Sequence, residues 1–84
     1  MKQTMPPVNK FKRLDVRAMI LKGIEPCPKI FDHLEKLKPD EGLVIVAPFL
    51  PSPLIEKLHG DGFSSKVERG KGTDWVVYFW REAV

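Results

Sequence analysis

A single cysteine is the scarcest and most informative feature of this 84-residue sequence. With no second thiol to pair with, Cys27 cannot form a disulfide within the chain. The sequence also lacks a signal-peptide core and any apolar run long enough to span a bilayer. These absences predict a cytoplasmic protein in a reducing compartment, without a membrane segment.

Motifs for metal binding and phosphate binding are missing as well. The two histidines, His33 and His59, form no metal-site spacing with Cys27, and no Cys-x-x-Cys pair occurs. Gly70 and Gly72 fall between two predicted strands, where a hairpin turn explains them better than a phosphate-binding loop. We therefore expect no metal site and no cofactor.

The composition is that of one small globular domain, with 43% hydrophobic and 30% charged residues. Residues 1–38 carry nine basic and four acidic side chains, whereas residues 39–84 carry five basic and seven acidic ones. A basic half can attract an acidic protein or nucleic acid. Because no nucleic-acid-reading motif accompanies the charge, nucleic-acid binding is the less favoured interpretation.

Hydrophobic periodicity predicts the order strand, helix, strand, helix, strand, strand. The four strands are indicated by alternation over 12–17, an apolar run over 43–47, alternation over 63–69, and a β-branched and aromatic run over 75–80. Pro28 and Ser52 mark the helix starts, and the first helix is expected to end near Lys38, before a proline. Residues 18–25 are expected to form a turn or a brief helical turn.

This order predicts a two-layer α/β sandwich of the α+β class. Right-handed crossovers put both helices on one face of a four-stranded mixed sheet, with the last two strands as an antiparallel hairpin. The domain is expected to cover residues 13–84 and to follow a flexible N-terminal arm, residues 1–12.

The second face of such a sheet is apolar and is expected to be packed against another segment or molecule. In the last strand, Val76, Tyr78 and Trp80 alternate with the residues that face the core. A bare aromatic patch is unusual on a monomer, so the N-terminal arm, a second copy of the chain or another protein is expected there. We treat these three residues as a candidate partner interface and expect homo-oligomers or a protein partner to use it. Within the arm, the apolar side chains available for this are Met5, Val8 and Phe11.

The sharpest chemical signal is Cys27 between two prolines at the start of the first helix. Pro28 is favoured at the first helical position, which assigns Cys27 to the N-cap. The helix dipole and the neighbouring Lys29 would then favour a nucleophilic thiolate. The alternative is structural, because free cysteines are often buried and Cys27 shares a helical stripe with Ile30.

The Cys27-Pro28 pair and the order of elements resemble the TusA (SirA-like) family of sulfur carriers. The chain departs from that family's Cys-Pro-x-Pro motif at Ile30, and its gap from Leu14-Asp15 to the cysteine is longer. The resemblance implies a non-enzymatic carrier that holds sulfur on Cys27 as a persulfide between a donor and an acceptor protein. Pro26, Pro28, Lys29 and Arg17 are the residues expected to support that site.

The chain is more similar still to an uncharacterised bacterial family related to TusA in fold, sometimes found beside hemerythrin-like or cupin domains. The shared segments are Leu14-Asp15-Val16-Arg17, Glu25-Pro26-x-Pro28 and Pro51-x-Pro53-Leu54. Many members of this family carry an apolar residue, often phenylalanine, at the position of Cys27. Two functions therefore stand side by side, sulfur transfer through Cys27 and a non-catalytic interaction module with Cys27 in its core. RNA binding is a third.

Overall fold

The computed structural model describes residues 5–81 and contains four strands and three α-helices within that range. The strands are β1 (Phe11–Asp15), β2 (Gly42–Ala47), β3 (Phe63–Arg69) and β4 (Trp75–Arg81). The helices are α1 (Arg17–Leu21), α2 (Cys27–Glu35) and α3 (Ser52–Gly60), and a short 3-10 turn, Val8–Lys10, precedes β1. None of the described helices combines the length and apolar character needed to cross a membrane.

The four strands form one mixed sheet in the order β1-β2-β4-β3. β1 and β2 run parallel, since α1 and α2 carry the chain back between them. β4 lies antiparallel to both β2 and β3, so the expected hairpin of the last two strands is confirmed. The sandwich predicted from the sequence is the observed fold.

The hydrophobic core lies on one face of the sheet, under the helices. Its buried residues come from all four strands, from α2 and α3, and from the junction of β1 with α1: Leu14, Val16, Ile30, Leu34, Leu43, Ile45, Ala47, Leu58, Phe63, Val77 and Phe79. Burying a large aliphatic or aromatic side chain contributes roughly 1.5–3 kcal/mol, so this layer accounts for most of the favourable folding energy. The short helix α1 adds Met19 and Ile20 at the edge of the core, which resolves residues 18–25 as a brief helix followed by a turn.

The boundaries of α2 differ from the sequence prediction at both ends. Pro26 is the flanking N-cap residue and Cys27 is the first helical residue, one position inside the expected cap. The helix ends at Glu35 instead of Lys38, because the turn that follows tightens into short-range hydrogen bonds before Pro39.

β1 begins at Phe11, one residue before the strand start that alternation predicts at Lys12 and within the predicted arm of residues 1–12. It ends at Asp15, two residues before the predicted end at Arg17. In the preceding 3-10 turn the Lys10 N–H donates to the Pro7 carbonyl at 2.9 Å. Residues 1–4 of the predicted arm and residues 82–84 of the predicted domain lie outside the described range.

Phe11 covers part of the sheet face opposite the helices, which we call the open face. Its ring lies over Gly42, and it meets Tyr78 and Trp80 edge-on, with ring centroids 5.2 Å and 6.3 Å away. Trp80 is only 8% exposed, so it is a packed residue rather than a free interface residue. Val76 and Tyr78 remain half-buried on this face.

The packing of Phe11 on Gly42 predicts a marked cost for a side chain at this glycine. In Gly42→Ala the new Cβ would overlap the Phe11 ring and lie 2.7 Å from the Phe79 carbonyl oxygen. We expect a loss of about 1–3 kcal/mol in the free energy of unfolding, measured by denaturant titration of tryptophan fluorescence. Gly60→Ala is the matched control, because a Cβ there has no heavy atom within 4 Å. Equal stability of the two variants would contradict the packing.

Candidate functional site

Cys27 lies on the wall of an apolar cleft of about 390 Å³, where α2 and α3 begin. The parallel strands β1 and β2 both end at this edge of the sheet, and the chain enters a helix after each of them. The carboxyl ends of parallel strands are a common position for binding sites in α/β folds. Buried side chains form the floor of the cleft: Val16, Ile30, Ile45 and Ala47.

The rim of the cleft is apolar and unusually exposed. Ile24 and Phe49 both line it and are 50% and 52% exposed. Three prolines, Pro26, Pro51 and Pro53, stiffen the segments that carry the rim into the two helices. Exposed apolar side chains around a concave site are typical of a binding surface.

Glu25 controls the chemistry of the cysteine. Its Oε1 accepts a hydrogen bond from the Cys27 backbone N–H at 3.2 Å, which holds the carboxylate next to the cysteine. Burial raises the pKa of the partly exposed Cys27 thiol, and the hydrogen bond to Glu25 and its negative charge raise it further. The same hydrogen bonds lower the pKa of Glu25.

This direction is opposite to the thiolate expected from the sequence. That expectation relied on a free helix N–H and on Lys29, but the Glu25 carboxylate takes up the Cys27 N–H. Lys29 is exposed and does not line the cleft. The neutral thiol form of Cys27, next to the Glu25 carboxylate, is therefore favoured.

Removing the charge of Glu25 should make Cys27 more reactive. In Glu25→Gln we expect alkylation by iodoacetamide at neutral pH to be severalfold faster, because less negative charge opposes the thiolate. The rate is measured by intact mass against time over a range of pH. Glu35→Gln, at the far end of α2, is the control. An unchanged rate in Glu25→Gln would contradict the contact between Glu25 and the thiol.

The structure gathers only some of the predicted site residues. Pro26 lines the cleft with Cys27, and Pro28 is the second residue of α2. Arg17 lies elsewhere: its guanidinium contacts Asp15 at 2.6 Å and Asp74 at 2.5 Å, tying the end of β1 to the loop before β4. That loop borders the open face, so Arg17 does not join the Cys27 cleft.

The Arg17 cluster has a measurable electrostatic signature. Hydrogen bonds from Arg17 lower the pKa of Asp15 from 3.8 to about 2. The same contacts raise the pKa of Arg17 further above its ordinary value. The ion pair of Asp15 and Arg17 therefore stabilises the folded state at any pH at which Asp15 is ionised.

This pair predicts an acid-dependent loss of stability. A carboxyl whose pKa is lowered on folding stabilises the protein above its unfolded pKa of 3.8, and that contribution is lost as the pH falls towards about 2. We expect Asp15→Asn to be less stable than the wild type near neutral pH, with the difference shrinking in acid. Urea unfolding at a series of acidic pH values measures this difference in the free energy of unfolding. Asp32→Asn on the surface of α2 is the control. A difference independent of pH would contradict the assignment.

The sequence patterns predicted neither of the two features that define the cleft. Glu25 was noted only as part of a shared segment, although a carboxylate two residues before a helix start is a recognisable acceptor for the first helical N–H groups. No local sequence pattern predicts that Ile24 and Phe49 are exposed. Within residues 5–81 no three His, Cys, Asp or Glu side chains are grouped so that they could hold a metal ion.

Residues 13–81, from β1 to the end of β4, match the DUF2249 family, which is described as an uncharacterized conserved protein. The chain belongs to this family. The match spans the whole Cys27 cleft of the DUF2249 domain and agrees with the resemblance to an uncharacterised family. Comparison with curated proteins and with solved structures returned no match.

Proposed function

We propose that this DUF2249 protein is a sulfur carrier, similar to TusA-like proteins, that accepts a sulfane sulfur on Cys27 and passes it to a partner protein. One observation carries the proposal. The Cys27 thiol is partly exposed on the wall of an apolar cleft whose rim carries exposed apolar side chains. A core cysteine of an inert scaffold would have no such access.

The thiolate form of Cys27 is the attacking species. As its sulfur attacks the outer sulfur of a donor persulfide, the donor S–S bond breaks and a new S–S bond forms on Cys27. The donor sulfur departs as a thiolate and takes up a proton from water, in exchange for the proton that Cys27 released. One sulfur atom moves, and no external oxidant or reductant is required.

The cleft around Cys27 supports the transfer in two further ways. Its buried aliphatic floor gives a persulfide on Cys27 an apolar surface on one side. Its exposed rim, with Ile24 and Phe49, offers an apolar surface on which a donor or acceptor protein can dock. Pro26 and Pro28 hold the turn, so docking needs little ordering of the chain.

The carrier role predicts a covalent sulfur adduct on the native protein. After incubation with a low-molecular-weight persulfide, intact mass spectrometry should show one added sulfur atom that is removed by dithiothreitol. Glu25→Gln should load faster at neutral pH, because less negative charge opposes the thiolate. Cys27→Ser must remain unmodified.

Two results would contradict sulfur carriage. One is the absence of an adduct on the folded protein while the unfolded protein is modified. The other is a persulfide on Cys27 that an acceptor thiol cannot remove from the folded protein.

A second candidate, binding without chemistry, is favoured by the raised pKa of the Cys27 thiol and by the exposed rim. Genetic rescue of a deletion strain separates the two roles. If docking alone is the function, Cys27→Ser rescues the strain and Phe49→Asp does not. If sulfur is carried, both substitutions abolish rescue.

A further inference from the structure

The charges at the two edges of the open face follow the strand register. Arg13 on β1 and Lys66 on β3 lie at opposite ends of one row that crosses all four strands. Asp15 and Glu68 lie at the ends of the adjacent row, two residues further along. The face therefore has a cationic row next to an anionic row.

The centres of the same two rows are apolar and differ in size. The cationic row contains Val44 and Tyr78, and the anionic row contains Val46 and Val76. The large side chain belongs to one row and the small side chains to the other. A shallow cavity of about 610 Å³ lies over these four residues.

We infer that the open face pairs two copies of this chain about a two-fold axis that crosses the strands between the two rows. This axis lays the cationic row of each copy over the anionic row of its partner. Arg13 then faces the partner's Asp15, and Lys66 faces the partner's Glu68. Each Tyr78 lies over the partner's Val76 and fills its cavity. A two-fold interface must be self-complementary, and these two rows satisfy that requirement.

The ion pairs within one copy leave charge available for this contact. Arg13 makes no ion pair with any residue in the described range 5–81. Asp15 and Asp74 share the single guanidinium of Arg17, so their cluster carries one excess negative charge. Lys66 and Glu68 form an exposed pair at 3.2 Å within β3, which exchanges readily for a pair between copies.

The face is small, so the dimer should be weak. Four strands about 4.8 Å apart and three residue rows make a patch of roughly 300 Å² per copy. Standard stable interfaces bury about 800 Å² per partner. The inferred dimer is therefore concentration-dependent and salt-sensitive. It leaves both Cys27 clefts free, since they belong to the helix layer, and it does not rest on the sulfur-carrier proposal.

Charge reversal at β3 tests the arrangement. Sedimentation equilibrium of the wild type over a range of concentrations should show a reversible monomer–dimer equilibrium. Lys66→Glu or Glu68→Lys puts like charges opposite each other at two places and should weaken the dimer about tenfold or more. The double variant K66E/E68K restores opposite charges and should recover most of the wild-type association. Lys57→Glu on α3, in the helix layer, is the control.

Three outcomes would overturn the inference. A wild-type protein that stays monomeric at every concentration would assign the open face to a different occupant. Single reversals without effect, or a double variant that does not recover, would place the dimer contact on another surface. Both residues are exposed on an edge strand, and circular dichroism verifies that each variant is folded. Cys27→Ser should dimerise normally, so a failure here is independent of the sulfur chemistry.

Discussion

The parallel pairing of β1 with β2 is the constraint on which the candidate site depends. Two parallel strands must be joined by a crossover, and here the crossover consists of α1 and α2. Both strands therefore end at the same edge of the sheet, and the chain begins α2 and α3 there. The cleft is the space between these two helix starts, and Cys27 occupies the first helical position of one of them.

Within that cleft, the Glu25 carboxylate affects the pKa of the Cys27 thiol more than the helix dipole does. The helix dipole typically contributes about 0.3–1 kcal/mol at an exposed terminus. Burial disfavours the charged sulfur, and the negative charge of Glu25, held by the Cys27 backbone N–H, acts in the same direction. The neutral form of the thiol is therefore favoured, so a reaction at Cys27 proceeds through the smaller thiolate fraction.

The two faces of the sheet have different roles. One face is sealed by the helices and contains the core, whereas the open face is partly covered by Phe11, which packs where Gly42 leaves room for its ring. The Arg17 cluster stiffens the other end of the open face by tying β1 to the loop before β4. Cys27 and Arg17 consequently serve separate parts of the molecule, although both lie in the crossover that follows β1.

The sequence by itself determined the order of the elements, because alternation, apolar runs, prolines and glycines are local signals. It predicted β3 over residues 63–69 and the start of β4 at Trp75, and it singled out Cys27 between its prolines. The tertiary structure alone decided which groups meet these residues. The exposure of the cleft rim, the partners of Arg17 and the position of Phe11 over Gly42 all depend on segments far apart in the chain.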